Sequence, residues 1–475
     1  MFENETVETY LKESLIKSAF LTPEIKNIQK GTIMDHYREI LKAFEVGKDV
    51  MQDKISSGIE NHRKGRISLN FTTQDGTVPD GLKVRIVQKS HEFKYGANLF
   101  LLDELKSPKD NERYRDFFAE TFNIATLPFY WDTLEPVQGR PRFAKDSPKI
   151  YRRPAPDLCL EYCEEKGIEP KAHCLNYASY MPDWAKGSIS WEKHCLEKRF
   201  RELAERYADR IPMWEVTNET FYGPDPFKSN FYNQPDHVEW SFETADRYFP
   251  NNKLVINEMY RRIWDYNSYF KDRSVYYMQI ERALRKGTPI DAIGMQYHMF
   301  FPKEKAIAET KPYYDLERLW DVLDTYSRFN LPIHLTEITI PAYSWEAEDE
   351  EIQAEIIRNL YTLFFAHPAM DGLIYWNTVD GYAYGAEPGD MSRGESCYYG
   401  GLLRFDMCPK PSCQVIHDLF RKQWHTELEK KIENGMLAFK GFYGKYEITV
   451  YALGKTVTRT FYAGKDLNNQ FNIIL

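Results

Sequence analysis

The chain has 475 residues, 43% of them hydrophobic, and a formal net charge of −9. Its Lys and Arg are scattered without a basic stripe, which argues against nucleic acid and anionic membrane surfaces as partners. No apolar run approaches the about 18 residues of a transmembrane helix, and the hydrophobic content suffices for a large core, such as a single α/β barrel of about 250–400 residues.

The N-terminus, "MFENETVETYLKESLIKSAF", carries acids early and lacks the apolar core of a signal peptide. Seven cysteines, an odd number, sit at no zinc-ribbon spacing. Cys159 and Cys163, i,i+4 on an expected helix, read as structural thiols. A cytoplasmic location is therefore expected, unless a cleaved leader precedes this sequence. Residues 1–60 read as a helical segment, including "TIMDHYREILKAFEVGKDVMQDKI", expected to cap a barrel. Residues 61–92 then read as two strands outside the barrel, "GRISLNFTT" and "LKVRIVQKSHEF", joined by "QDGTVPDG".

From residue 93 to 429 short apolar runs alternate with helical patterns. The runs are "FKYGANLF" (93–100), "FNIATLPF" (122–129), "EPKAHCLNY" (169–177) and "IPMWEVTNE" (211–219). They continue with "KLVINEMY" (253–260), "DAIGMQYHM" (291–299), "LPIHLTEI" (331–338) and "GLIYWNTVD" (372–380). Between them lie stretches such as "HCLEKRFRELAERYADR" and "LERLWDVLDTYSRF". Eight strand–helix units predict an α/β fold, a parallel (β/α)8 TIM barrel. Residues 430–475 alternate strongly, as in "YEITVYA" and "KTVTRTFYA". They supply too few strands for a stable sandwich alone. Joined to those of 61–92, they predict one small accessory β-sandwich built from both chain ends, with a structural or a sugar-binding role.

Barrel chemistry sits where strands end. The polar and aromatic groups there are His173, Asn176, Asn218, Glu219, Asn257, Glu258, Gln296, His298, Glu337, Trp376 and Asp380. Solvent wetting of strand ends explains one or two such residues, not a whole rim. Glu219 closes the fourth strand and Glu337 the seventh, so their side chains can converge across the barrel mouth. Paired carboxyls are the minimum equipment for glycoside hydrolysis: one protonates the leaving group and the other attacks the anomeric carbon. Their mutual charge and different surroundings separate their pKa values. A rim salt bridge is the plain alternative for either Glu alone. His334, three residues before Glu337, points to the opposite strand face, so no metal site is expected, and no cofactor.

The motif order resembles glycoside hydrolase family 10, the retaining endo-β-1,4-xylanase family. "MWEVTNE" is similar to its acid/base strand W-D-V-V-N-E, and "IHLTEITI" to its nucleophile strand I-T-E-L-D. "IGMQYHM", "KLVINEMY", "KAHCLNYASYMPDW", "TLEPVQGRPRF" and "RFDMCPKPSCQVIHDLF" match further family segments in order, over roughly residues 85 to 425. The resemblance implies that Glu219 is the general acid/base and Glu337 the nucleophile. It implies that Asn218 binds the sugar 2-hydroxyl, His173 holds a neighbouring hydroxyl, and Gln296 and His298 orient Glu337. Trp376 would be a sugar platform.

Three segments depart from the family. Its polar E-N-x-x-K-W is replaced by "TLPFYWDTLEP", which puts Leu127, Pro128, Phe129 and Tyr130 where polar groups stand. Its W-H-x-Q becomes Tyr177-Ala178-Ser179-Tyr180, and its S-W platform Ala383-Tyr384. Tyr130, Tyr177 and Tyr384 are therefore expected to bind substrate, and Phe129, Trp131 and Tyr180 to crowd the same side. The expected function is double-displacement hydrolysis of β-1,4-xylan-like bonds in plant-wall poly- or oligosaccharides. The alternatives are an exo-acting or aryl β-glycosidase of altered specificity, or a catalytically weak sugar-binding barrel.

Overall fold

The computed structural model describes residues 37–78, 81–221, 229–452 and 455–475. Helix α1 (Lys48–His62) follows a 3-10 turn at Arg38–Glu45. The helix expected over residues 1–36 lies outside the described residues. Met51 and Ile55 of α1 and Ile40, Ala43 and Phe44 of the turn join the barrel's core. They pack along the outer helices rather than over the mouth, because their apolar positions meet the long helix of residues 347–366.

Eight parallel strands close into a barrel: β3 (Lys94–Asn98), β4 (Ile124–Pro128), β5 (Glu169–Asn176), β6 (Met213–Asn218), β7 (Lys253–Glu258), β8 (Ala292–His298), β9 (Ile333–Thr339) and β10 (Met370–Tyr375). Each coincides with one of the apolar runs. In β4, β6, β8 and β9 every residue is buried, as expected where helices cover the outside and side chains fill the inside. The covering helices are α2 (Pro108–Thr121), α3 (Pro156–Lys166), α4 (Ile189–Tyr207), α5 (His237–Tyr248), α6 (Val275–Arg285), α7 (Leu316–Ser327), α8 (Ala347–Ala366) and α9 (Pro411–Asp418). Their starts are written locally. Ser107 caps α2 by accepting the Asp110 N–H, with Pro108 at the first helical position, and Asp315 caps α7 through Arg318. Gly167, at φ +66°, ends α3 in the left-handed conformation.

The remaining strands form a two-sheet sandwich from both chain ends. β1 (Lys64–Thr72) pairs with β12 (Met436–Phe442) and β15 (Gln470–Ile474). β2 (Leu82–His91) lies between β11 (Glu427–Ile432) and β13 (Gly444–Ala452), with β14 (Lys455–Ala463) outside. The connection from β1 to β2 thus crosses between sheets. Ile67, Leu69, Val84, Ile86, Ile448 and Val450 fill the space between them. Arg63, at the junction, is buried and donates to the carbonyls of His367 (2.6 Å) and Met370 (2.7 Å) beneath the barrel.

Candidate active site

β6 brings the first carboxyl to the mouth. Glu215 faces the barrel interior, and a register shift between Glu215 and Thr217 then brings Asn218, level with Asn257, and Glu219 to the site. Glu219 has φ +51°, a left-handed conformation that costs a non-glycine residue about 1–3 kcal/mol and clusters at functional sites. Its N–H reaches Asn257 O at 3.2 Å, and Tyr177 Oη donates to its Oε2 at 2.6 Å. Behind it, the N–H and hydroxyl of Thr220 bind Glu258 Oε2 at 2.9 and 3.1 Å. Burial raises the Glu258 carboxyl to about 8.

Glu337 ends β9, almost wholly buried. Asn257 Nδ2 and Gln296 Nε2 each donate to its Oε1 at 3.1 Å, and His298 Nε2 lies 3.1 Å from its Oε2. His298 Nδ1 is 3.0 Å from the Thr339 hydroxyl. Burial holds the His298 imidazole down, to about 4, so it is neutral. With the hydroxyl donating to Nδ1, the ring proton stands on Nε2 and points at Glu337. Burial raises Glu337 to about 8, with the charges of Glu219 and Glu215 adding and that of His173 opposing. The same Gln296 Nε2 also lies 2.8 Å from Glu219 Oε1. The two carboxyl oxygens are therefore no further apart than those two distances laid end to end, about 6 Å.

Asn218 Oδ1 accepts the Asn257 amide at 2.7 Å, leaving its own NH2 for a ligand. His173 Nδ1 is bound to Glu215, leaving Nε2 for a ligand. Glu215 also pairs with Lys171 inside the barrel. Burial works against that carboxylate, but Lys171 and His173 outweigh it and lower it to about 2. His173, Glu215 and Glu337 offer ligand atoms within 4.8 Å of one another. The Lys171 ammonium already on Glu215 makes this a proton-and-charge network, unsuited to a cation.

Ten of the expected catalytic and substrate-binding residues line one cavity of about 240 Å³: His173, Asn218, Glu219, Gln296, His298, Glu337, Trp376, Tyr130, Tyr177 and Tyr384. Tyr130, Tyr177 and Tyr180 cluster with Phe100 and Trp376 along one wall. Phe129 and Trp131 do not join them. Phe129, just past the end of β4, packs on Tyr207 and Trp214, and Trp131, which opens a short helical turn (Trp131–Leu134), packs on Trp184. Asn176 is turned to Ser241 and Tyr232, and Asp380 to Lys410, so both brace the fold. His334 stands level with Gly294 and Gly372 in the barrel and 3.4 Å from Asp371, outside the pocket lining; a register shift between it and Glu337 undoes the opposite facing that simple alternation predicts. Sequence reasoning missed Lys171, Glu215, Phe100, Arg152, Arg153 and Glu395 as lining or support; for Lys171 the two-residue alternation with His173 was the available signal.

Fold and site together define a (β/α)8 barrel with a paired-carboxyl pocket at the C-terminal mouth of its strands. The Glycosyl hydrolase family 10 profile matches residues 97–400, and the chain belongs to that family. It is 24% identical over 449 residues to Endo-1,4-beta-xylanase 2 of Arabidopsis thaliana, covering 92% of this chain and 37% of that protein. With Endo-1,4-beta-xylanase B of Thermotoga neapolitana it shares 25% over 327 residues, 66% of this chain and 85% of the other. It also shares 22% over 409 residues with Anti-sigma-I factor RsgI6 of Acetivibrio thermocellus, covering 85% of this chain and 47% of the other. The chain spans well under half the length of the two Arabidopsis xylanases it matches, 37% and 41%. Among solved structures, xylanase 10B from Thermotoga petrophila RKU-1 in complex with xylobiose superposes with a TM-score of 0.55 at 22% identity. That match covers 70% of this chain and 95% of the other.

Proposed function

We propose that the protein hydrolyses β-glycosidic bonds of xylan-like oligosaccharides with retention of configuration, Glu219 acting as acid/base and Glu337 as nucleophile. The observation that carries this reading is the single Gln296 amide nitrogen in contact with both carboxyls. Its reach keeps one oxygen of each carboxyl within about 6 Å of the other, a proximity that supports the roughly 5–5.5 Å spacing of retaining sites over the roughly 6.5–9.5 Å of inverting ones.

The proton placement follows from the donors. With Glu337 raised to about 8 by burial, the site holds a proton near neutral pH. In the productive form that proton sits on Glu219. Asn257, Gln296 and His298 all aim at Glu337 and stabilise it as the carboxylate. Glu337 then attacks the anomeric carbon while Glu219 protonates the departing oxygen. Water, deprotonated by Glu219, releases the sugar in the second step. The free Asn218 NH2 suits the 2-hydroxyl, His173 Nε2 a neighbouring hydroxyl, and Trp376 a ring face. The test is the anomer first formed from a β-linked oligosaccharide, followed by proton NMR before mutarotation. A β-product supports the assignment, and an α-product overturns it.

A further inference from the structure

The aromatic wall is not wholly apolar. Arg152 and Arg153 come from the loop between β4 and α3 and line the catalytic cavity; they also line an adjoining cavity of about 500 Å³. They are 4% and 8% exposed. The Arg153 guanidinium carbon lies 3.7 Å from the Tyr130 ring centroid. Arg152 holds a left-handed backbone at φ +60°, the kind of local strain that clusters at binding sites.

Among the described residues, neither guanidinium forms an ion pair. Arg152 donates to Tyr382 O and Arg153 to Arg152 O at 2.9 Å. Both Nε atoms are buried without an acceptor. Each group has five donors, so most remain unused. The nearest facing acids compensate only at a distance. Glu395 accepts the Asn377 amide at 2.8 Å, and the Asp132 Oδ1 is itself buried without a partner. Two buried, adjacent, unpaired cations are costly in an empty pocket. A planar fork of this kind is matched to a carboxylate or phosphate-type anion.

We infer that Arg152 and Arg153 bind an anionic group carried by the substrate's sugar at the aromatic end of the pocket: a uronic-acid carboxylate, or a sulfate or phosphate ester. This rests on the hydrolase reading above and deepens it.

The test pairs sugars that differ only in the anion. Aryl β-glucuronide is compared with aryl β-glucoside, and a uronate-bearing xylo-oligosaccharide with its unsubstituted parent. Glucoside 6-sulfate and 6-phosphate test the ester sources. Wild type should prefer an anionic member by on the order of ten- to hundred-fold in kcat/KM, the scale of a charge-assisted hydrogen bond. Arg153→Gln should collapse that ratio towards one, and Arg153→Lys should leave it intermediate. Preference for an ester over the carboxylate assigns the source and keeps the site. Calorimetric binding of methyl β-glucuronide, the two methyl glucoside esters and methyl β-glucoside to the wild-type chain needs neither turnover nor a folded variant. Tighter binding of an anionic sugar without cleavage of any substrate would sustain the anion site and remove the hydrolase reading. Cleavage with neutral sugars favoured or equal would remove the anion site alone.

Discussion

Replacing Gln296 by Leu removes an amide nitrogen that touches both carboxyls. The native amide stands 3.1 Å from Glu337 Oε1 and 2.8 Å from Glu219 Oε1, and its side chain is buried. A hydrogen bond to a charged group contributes roughly 1.5–3 kcal/mol. Glu337 keeps Asn257 and His298, so the loss is one bond of three and not its whole solvation. The expected cost is therefore about ten- to hundred-fold in kcat/KM. The lost donor favoured the ionised form, so the Glu337 pKa rises further and the acid limb of the pH profile moves to higher pH. The assay is kcat/KM for an activated aryl β-glycoside from pH 4 to 9, with circular dichroism checking the fold. A loss under threefold with an unmoved acid limb would refute this reasoning, because it would mean that Gln296 neither aims nor ionises the nucleophile.

Glu219→Ala should keep much of its first-step rate on an aryl glycoside and lose about 10²–10⁴-fold on a natural oligosaccharide. Azide should rescue it to a β-glycosyl azide, whereas an α-azide would reverse the two roles. In Glu219→Gln the neighbouring charge that helps raise Glu337 is gone. The Glu337 pKa falls, so the acid limb with an aryl substrate should move to lower pH; movement upward would contradict the coupling. Arg63→Met leaves buried carbonyls of Phe365, His367 and Met370 without their donor. It should cost about 3 kcal/mol in denaturant unfolding without altering KM, and a cost under 1 kcal/mol would deny the junction its role. Phe129→Ala should destabilise by about 3–5 kcal/mol as a core truncation, whereas Tyr130→Ala should act on KM; equal KM effects would place both in the pocket.

The catalytic face was legible because it breaks a rule that buried strands keep. Glu219 and Glu337 are acids at the ends of apolar runs, where a charge is costly unless it is paired or used. Lys171 and Glu215 were harder to see, because each is one charge in a hydrophobic strand and the partner lies on a different strand. Tyr130, Phe129 and Trp131, which the departure from the family pattern had grouped together, are separated where the strand ends and a helical turn begins at Trp131, a boundary the apolar run hides. Arg152 and Arg153 sit in a loop with no periodicity, so nothing local marks them as pocket residues. The sandwich was readable from alternation in β2 and β13. β11, "ELEKKI", was not: its charges are those of a sheet edge guarded against further pairing, and they mask its strand period.

The central claim is that Glu337 forms a covalent bond to the sugar. Incubation with an aryl 2-deoxy-2-fluoro-β-glycoside of the accepted sugar slows both steps and lets the intermediate accumulate. Intact-mass spectrometry should then show one added fluoroglycosyl group, and peptide mapping should place it on Glu337. A label on Glu219, or rapid turnover with no adduct on a sugar that the enzyme cleaves, would contradict the account.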